Sequence, residues 1–299
     1  MKCALKGLIF LYVVVLYTPT TLAQQENKIS TWNMEWLDLK GNRQFKPSLR
    51  SNADFYKMSE YFAKIEAPIL AFQEVASAAA IQSVVGGEYE IFLSDRSLPS
   101  HHALQFSDIN QYTGFAVKKG LKVTDPSDFS LLQTKNKLRF ASYIILEDWQ
   151  NEPVHLLSIH LKARCSGQYR SNNACKTLKQ QAHGLNAWIK AREEQGEAYI
   201  IAGDFNHNLA YPNDWLWHDL SSQSHAVLST RKVSADCVVR NRNNAKKTHQ
   251  FRSLIDHIVV SQHFVIDEAT QDVFTSSDVL NYQLSDHCPL SITIGSMTP

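Results

Sequence analysis

Short apolar, β-branched runs recur along this chain, and each carries a polar residue at or near its end. KISTWNMEW contains Asn33, ILAFQEV contains Glu74, VHLLSIH ends in His160, and AYIIAGDFN ends in Asp204 and Asn206. LIDHIVV is interrupted by Asp256, and Asp286 with His287 precedes PLSITI. Between them lie helical patterns, Phe55, Met58, Phe62 and Ile65 on one stripe and Leu178, Ala182, Leu185 and Ile189 on another. The first three elements read as β-α-β. TGFAVKK and RFASYIIL add further strand candidates. Strand-rich stretches between helices predict a mixed sheet, or two packed sheets with helices outside, instead of a purely parallel one. Strand ends on one rim are where loops converge into a site.

The first residues are read as a targeting segment and set aside. Lys2 and Lys6 form a basic start, Leu8 to Tyr17 an apolar run, and Thr18 to Ala23 a small, polar end. The apolar run is about half the roughly 20 residues a membrane span needs. Cleavage is expected after Ala23, leaving residues 24–299 as one domain without a visible repeat or linker, released to the extracellular space or periplasm. Removing Lys2 and Lys6 leaves 28 basic residues against 29 acidic ones, so global supercharging is excluded and any basic character is local. Cys3 precedes the apolar run and leaves with it. The remaining Cys165, Cys175, Cys237 and Cys288 are an even set suited to two disulfides in an oxidising compartment. Three pairings are open. The short segment between Cys165 and Cys175 favours closing that loop, which would contribute roughly 3 kcal/mol in the chain-entropy treatment, with Cys237 and Cys288 paired by elimination. A zinc site competes for the same thiols but lacks the usual CxxC spacing.

A carboxylate inside an apolar strand is costly to bury without a partner or a cation, so Asp256 calls for one, and His287 is the candidate. One Glu with several Asp and Asn oxygens forms a hard donor set. That set suits Mg²⁺, which keeps waters and open positions for phosphate oxygens.

These pieces, TWNMEW, AFQEV, LRFASYI, SIHLKA, GDFN, LIDHIVV and SDHCPL, occur in the order found in the endonuclease/exonuclease/phosphatase superfamily, which the chain resembles from Ile29 to Leu290. The resemblance is to its deoxyribonuclease I-like, secreted nuclease branch. It implies an α/β (α+β) four-layer sandwich, two packed mixed β-sheets flanked by helices. It implies a metal site at Glu74, with Asn33 beside it and Asp286 next to the metal and water network. Asp204 and Asn206 resemble the pair that orients the attacking water and the scissile phosphate. His287, backed by Asp256, resembles the pair acting as general base or stabilising phosphate charge. His160 stands where the superfamily's nucleases and sphingomyelinases have histidine, and Arg139 resembles a phosphate-contacting arginine. Mg²⁺ is the implied cofactor, with Mn²⁺ as a substitute. Two departures stand out. Ala76 follows QEV where the deoxyribonuclease I branch has a groove-reading arginine, and Gln111 aligns with a glutamate that orients the first histidine.

Two local basic segments bear on the substrate. Residues 161–181 carry Lys162, Arg164, Arg170, Lys176 and Lys179 with no acid, and residues 231–252 carry seven cations against Asp236. Both adjoin catalytic strands, as expected of a cleft tracking a phosphate backbone, with Lys162 and Arg164 as substrate contacts. The expected activity is a Mg²⁺-dependent endonuclease acting on nucleic acid, DNA first and RNA second, with no stable membrane association and no protein partner. A secreted sphingomyelinase-like phospholipase is the alternative enzyme and would need an apolar element entering a bilayer. The only aromatic-dense loop is Tyr211 to Leu220. An inactive binding subunit is the alternative from another class, although no acidic or histidine position is lost. His101, His102 and His183 read as surface or core histidines, His207 as a neighbour of the site that is not assigned a role, and His257 as facing away from Asp256.

Overall fold

The stripe Phe55, Met58, Tyr61, Phe62 and Ile65 is buried along one face of helix α1 (Asn52–Ile65), which Ser51 opens by a reciprocal capping box with Asp54. That helix joins strand β1 (Lys28–Leu37) to β2 (Ile69–Val75), and a crossover of this kind makes the two strands parallel. The structure, a computed structural model, describes residues 27–132, 136–149 and 152–297. The expected targeting segment and its cleavage after Ala23 fall outside the described residues.

The remaining elements follow in order. They are helix α2 (Ala78–Val85), strands β3 (Tyr89–Leu93), β4 (Tyr112–Lys118), β5 (Val123–Thr124), β6 (Ser142–Trp149) and β7 (Glu152–His160), helix α3 (Asn173–Glu194) and strand β8 (Ala198–Asp204). Helix α4 (Trp215–Ser221), strands β9 (Val227–Leu228), β10 (Val238–Arg240), β11 (Thr248–Gln250), β12 (Asp256–Val260) and β13 (Phe264–Gln271), helix α5 (Ser276–Asn281) and strand β14 (Leu290–Met297) complete the order. One six-stranded sheet has the order β13-β14-β1-β2-β4-β3, and the other β5-β6-β7-β8-β12-β9. Each is mixed, with one parallel pair at its centre, β1–β2 and β7–β8, the latter crossed over by α3.

The sheets face each other across Ile29, Ile69, Ala71 and Phe115 on one side and Ile144, Leu156, Ile200 and Ile258 on the other. Strand β2 is apolar at successive positions because both its faces are covered. Ile69 and Ala71 enter the inter-sheet core, while Leu70 and Phe72 pack with α1 and α2. The opposite outer face carries α3 and α4, where Leu178, Leu185, Leu216 and Leu220 pack on Leu157, Tyr199 and Ile201. The aromatic-dense loop is therefore largely this helical layer. Trp215 donates from Nε1 to the Gly167 carbonyl at 2.9 Å and its ring meets Tyr169 edge-on. Among the described residues, no helix is long and apolar enough to cross a membrane.

Cys165 is bonded to Cys175 and Cys237 to Cys288. Strand β6 begins at Ser142, three residues later than the RFASYIIL run suggests. Arg139 is freed from the ladder because its guanidinium turns toward Gln111 and His160.

Gly203 sits at φ +152° in β8, opposite Ile159 of β7, and an added Cβ would fall 2.0 Å from the Ile159 carbonyl oxygen. Gly203→Ala is expected to lower unfolding free energy by about 3 kcal/mol through forced backbone displacement, measured by urea denaturation.

Asp128 ties the start of β6 to the segment after β3. It accepts from the Tyr143 amide at 2.8 Å, the Asp95 amide at 2.8 Å and the Ser142 hydroxyl at 3.1 Å. Burial pushes its carboxyl up to about 6 despite these bonds. A raised folded value means stability present below the unfolded value, near 4, and lost as pH rises through about 6. The unfolding free energy of the wild type relative to Asp128→Asn is expected to fall by about 2 kcal/mol between pH 4 and 7. A flat difference across that range would contradict this.

Candidate active site

Chain direction explains why the polar strand ends meet. The parallel strands β1, β2, β7 and β8 present Asn33, Glu74, His160 and Asp204 at or near their carboxyl ends. Their antiparallel neighbours start on the same rim. Asp256, the first residue of β12, is paired with Asp204, and Asp286 and His287 lie just before β14.

The two sheets are joined there by direct contact. Asn33 Nδ2 donates to Asp204 Oδ2 at 3.0 Å, and His160 Nε2 lies 3.4 Å from Asp204 Oδ2 and 3.7 Å from Glu74 Oε1. Asn206 donates from its backbone amide to Asp204 Oδ1 at 2.7 Å and from Nδ2 to Asp204 Oδ2 at 3.2 Å. His287 Nδ1 donates to Asp256 Oδ2 at 2.7 Å, while its Nε2 lies 3.9 Å from Asp204 Oδ2 and 3.8 Å from Asp286 Oδ1. The structure thus brings Asn33, Glu74, His160, Asp204, Asn206, Asp256, Asp286 and His287 into one cluster.

Backbone strain aims several of them. Glu35, Trp36, Glu74 and Asn206 have φ of 44°, 54°, 59° and 53°, and the β1–β2 register breaks between Asn33 and Leu37. Arg50 holds this irregular backbone. Its guanidinium donates to the carbonyls of Met34 at 3.1 Å, Glu35 at 2.9 Å and Trp36 at 3.4 Å, and also to Gln283 at 3.1 Å and Leu284 at 3.2 Å. One buried cation thereby fastens the loop after Asn33 to the loop before His287. Ser285 adds a bond from its hydroxyl to the Asn33 carbonyl at 2.6 Å.

Burial divides the two histidines. It drives His160 well below the usual imidazole range, helped by Arg139 and His287. Arg139 Nη2 lies 2.7 Å from His160 Nε2, and an arginine can only donate, so His160 accepts at Nε2 and is neutral. Burial opposes charge on His287 too, but Asp256, Asp204 and Asp286 overcome it and hold that imidazole well above its ordinary value. Asp204 is pushed up to about 7, by burial first and then by Asp256.

Two sequence expectations change. Gln111 does not orient His160. Its Oε1 accepts from Arg139 Nη2 at 2.9 Å, because the amide oxygen is drawn to the guanidinium, and His160 Nδ1 is buried without a partner. Glu35 was not among the expected site residues. Burial first, and then Asp286 and Glu74, push its carboxyl up to about 8. Positive φ at Glu35 and Trp36 breaks the strand alternation there, so no periodic signal marks it in the sequence.

The donor set tests the fit of a cation. Asp286 raises both Glu35 and Glu74, and Glu74 raises Glu35, so these three carboxyls repel one another. A hard divalent cation would relieve that repulsion. A second grouping, Asp204, Asp256 and His287, offers donor atoms within 4.8 Å of one another. Asp256 Oδ2 is already committed to His287 Nδ1, so this trio fits proton handling and charge stabilisation better than Mg²⁺. Asn33 Oδ1 accepts from the Glu35 amide at 3.0 Å and keeps one lone pair for a ligand.

The basic residues fall into distinct settings. Lys162 is half-buried, and after burial the charges of Arg139 and Arg164 lower it, which places all three in one cationic neighbourhood. Arg240 is tied by Nη2 to the carbonyls of Val279 and Tyr282, whereas Arg242 reaches Asp286 at 2.8 Å. His207 is buried against Asp214 at 2.6 Å and the Cys165 carbonyl at 2.9 Å, outside the cluster. His257 accepts the Leu209 amide at 3.1 Å on the other face of β12.

A two-sheet sandwich with clustered carboxylates and histidines on one rim defines a phosphoesterase class. The chain belongs to the Endonuclease/Exonuclease/phosphatase family, whose profile it matches over residues 30–287. No curated protein matches it by sequence. Solved structures similar to it include an endonuclease/exonuclease/phosphatase from Bacteroides vulgatus, at 15% identity and TM-score 0.62, covering 90% of this chain and 98% of that one. A truncated TDP2 from Caenorhabditis elegans is similar at 16% identity and TM-score 0.58, covering 89% and 96%. The mannosyl-6-phosphatase Bt3783 of Bacteroides thetaiotaomicron is similar at 14% identity and TM-score 0.58, covering 89% and 98%. At such identities the likeness is one of fold.

Proposed function

We propose that this protein is a secreted, Mg²⁺-dependent phosphodiesterase that cuts nucleic acid as an endonuclease, DNA first and RNA second. The observation that carries the reading is the cluster itself, where Asn33 meets Asp204 at 3.0 Å between the sheets and His287 meets Asp256 at 2.7 Å, with Lys162 and Arg164 close by. Residues 24–299 act as one domain, and the two disulfides support export to an oxidising compartment.

Glu74, Asn33 and Asp286 would hold the cation, which would offset charge on a phosphate oxygen. Asp204 and Asn206, locked together by two hydrogen bonds, orient the attacking water and the phosphate. His287, kept charged by Asp256, presents Nε2–H to a non-bridging oxygen and stabilises its growing charge. His160 is held neutral by Arg139, and Arg139, Lys162 and Arg164 attract the phosphate backbone. Water adds to phosphorus as the bond to the alcohol oxygen breaks, Asp204 taking the water's proton and the released oxygen gaining one from solvent, giving one phosphomonoester end and one hydroxyl end.

The test is hydrolysis of plasmid DNA, RNA, sphingomyelin vesicles and mannose 6-phosphate by the oxidised protein, with Mg²⁺ or EDTA. Mg²⁺-dependent cutting of DNA or RNA is expected. Hydrolysis confined to lipid or to the sugar phosphate would overturn the nuclease reading in favour of that substrate.

A further inference from the structure

The strands β10 and β11 form a separate two-stranded ribbon beside the site, and its base is fastened from several directions. Val238, Val239 and Arg240 pair with Gln250, His249 and Thr248. Cys237 is bonded to Cys288, the residue after His287, and its amide donates to Gln271 Oε1 at 2.9 Å. Arg240 Nη2 is fixed on the Val279 and Tyr282 carbonyls at 2.7 and 2.9 Å. At the tip, the Asn241 amide closes on the Lys247 carbonyl at 2.9 Å. A ribbon built this way holds its tip residues in place over the site.

Arg242 is the tip residue aimed at the reaction centre. Its side chain is 83% exposed, yet Nη2 lies 2.8 Å from Asp286 Oδ2, and Asp286 Oδ1 lies 3.8 Å from His287 Nε2. A single carboxylate therefore separates the guanidinium from the imidazole. A groove of about 330 Å³ opens here, lined by Asn241, Arg242 and Lys46 together with Glu35 and Asp286. An ion pair whose guanidinium is this exposed is weak, so it positions Arg242 without holding it against a better ligand. A phosphate offers the guanidinium two parallel charge-assisted bonds.

We propose that this groove is a second phosphate subsite, with Arg242 as its phosphate-binding residue. The preferred substrate is then a chain of linked phosphodiesters, in which one phosphate is cleaved and its neighbour is gripped by Arg242. This rests on the phosphodiesterase reading above and names its substrate class. Lys46 and the exposed Lys246 and Lys247 of the ribbon extend the same cationic track.

Binding of a short fluorescent oligonucleotide in EDTA, followed across salt concentration, tests this without turnover. Arg242→Ala is expected to bind about 10-fold more weakly, with the slope of log K against log salt reduced by about one, while Arg242→Lys keeps most of the slope. With Mg²⁺, Arg242→Ala is expected to lose about 10-fold in kcat/KM on the oligonucleotide, mainly through KM, and to lose several-fold less on bis(p-nitrophenyl) phosphate, which has no neighbouring phosphate. Unchanged affinity and salt slope would overturn the subsite, as would equal losses on both substrates. A wild-type protein that hydrolyses the small ester yet neither binds nor cuts the oligonucleotide would overturn the nucleic-acid reading along with it. Wild-type cutting that is indifferent to Arg242 overturns the subsite alone.

Discussion

His287→Ala lowers kcat on nucleic acid by about 10³-fold, the expected scale for losing one charged, aligned group at a developing phosphate charge. The structure gives the reason a single ring has this leverage. Asp256, Asp204 and Asp286 all face His287, and together they keep it charged against the cost of burial. The same substitution also costs stability, because Asp256 is buried, its Oδ1 has no partner, and its Oδ2 loses the 2.7 Å bond to Nδ1. A stability loss of about 2 kcal/mol is expected. These two effects separate in a double variant. Adding Asp256→Ala to His287→Ala removes the orphaned carboxylate, so the double variant is more stable than His287→Ala and no less active, since Asp256 works through the ring that is already gone. Single-turnover rates and urea unfolding of the three variants measure both axes. A double variant that is further inactivated by 10-fold or more would show Asp256 acting independently of His287.

What could be read from the sequence followed from periodicity and from polar residues at strand ends. Glu74, His160, Asp204 and Asp256 interrupt or finish apolar runs, and strand direction in the fold then places them on one rim. The short loop between Cys165 and Cys175 made that disulfide legible, and its partner pair followed. The parts that stayed hidden depend on backbone departures that no period encodes. Glu35 turns into the site because φ is positive at residues 35 and 36, breaking the alternation that would otherwise place it. Arg50 lies in the polar stretch GNRQFKPSLRSN, whose composition gives no hint that one side chain bridges two loops by five carbonyl bonds. Gln111 aligned plausibly beside His160, but the intervening Arg139 claims its oxygen. The ribbon of β10 and β11 has three residues per strand, too few for alternation to be visible among charged neighbours.

Glu74→Gln is expected to abolish the response to Mg²⁺ while leaving the apo protein folded. Glu74 is raised by burial and by Asp286, so in the absence of a cation its charge works against the fold, and the neutral amide stabilises the apo state by about 1 kcal/mol. The wild type should gain about 2.7 kcal/mol at a Mg²⁺ concentration 100-fold above its Kd, seen as a rise in Tm. The variant should show little of that rise, because removing the buried carboxylate weakens the site by at least about 100-fold. Its turnover falls by about 10³-fold, corresponding to several kcal/mol of lost charge stabilisation at the phosphate. The two readouts are independent, since the thermal shift needs no substrate. A Tm rise in the variant equal to that of the wild type would place the cation elsewhere, with the Asp204, Asp256 and His287 grouping the next set to test. The opposite signs expected for apo stability and Mg²⁺ response distinguish a carboxylate kept for its ligand from one kept for packing, because a packing role would make the apo variant less stable.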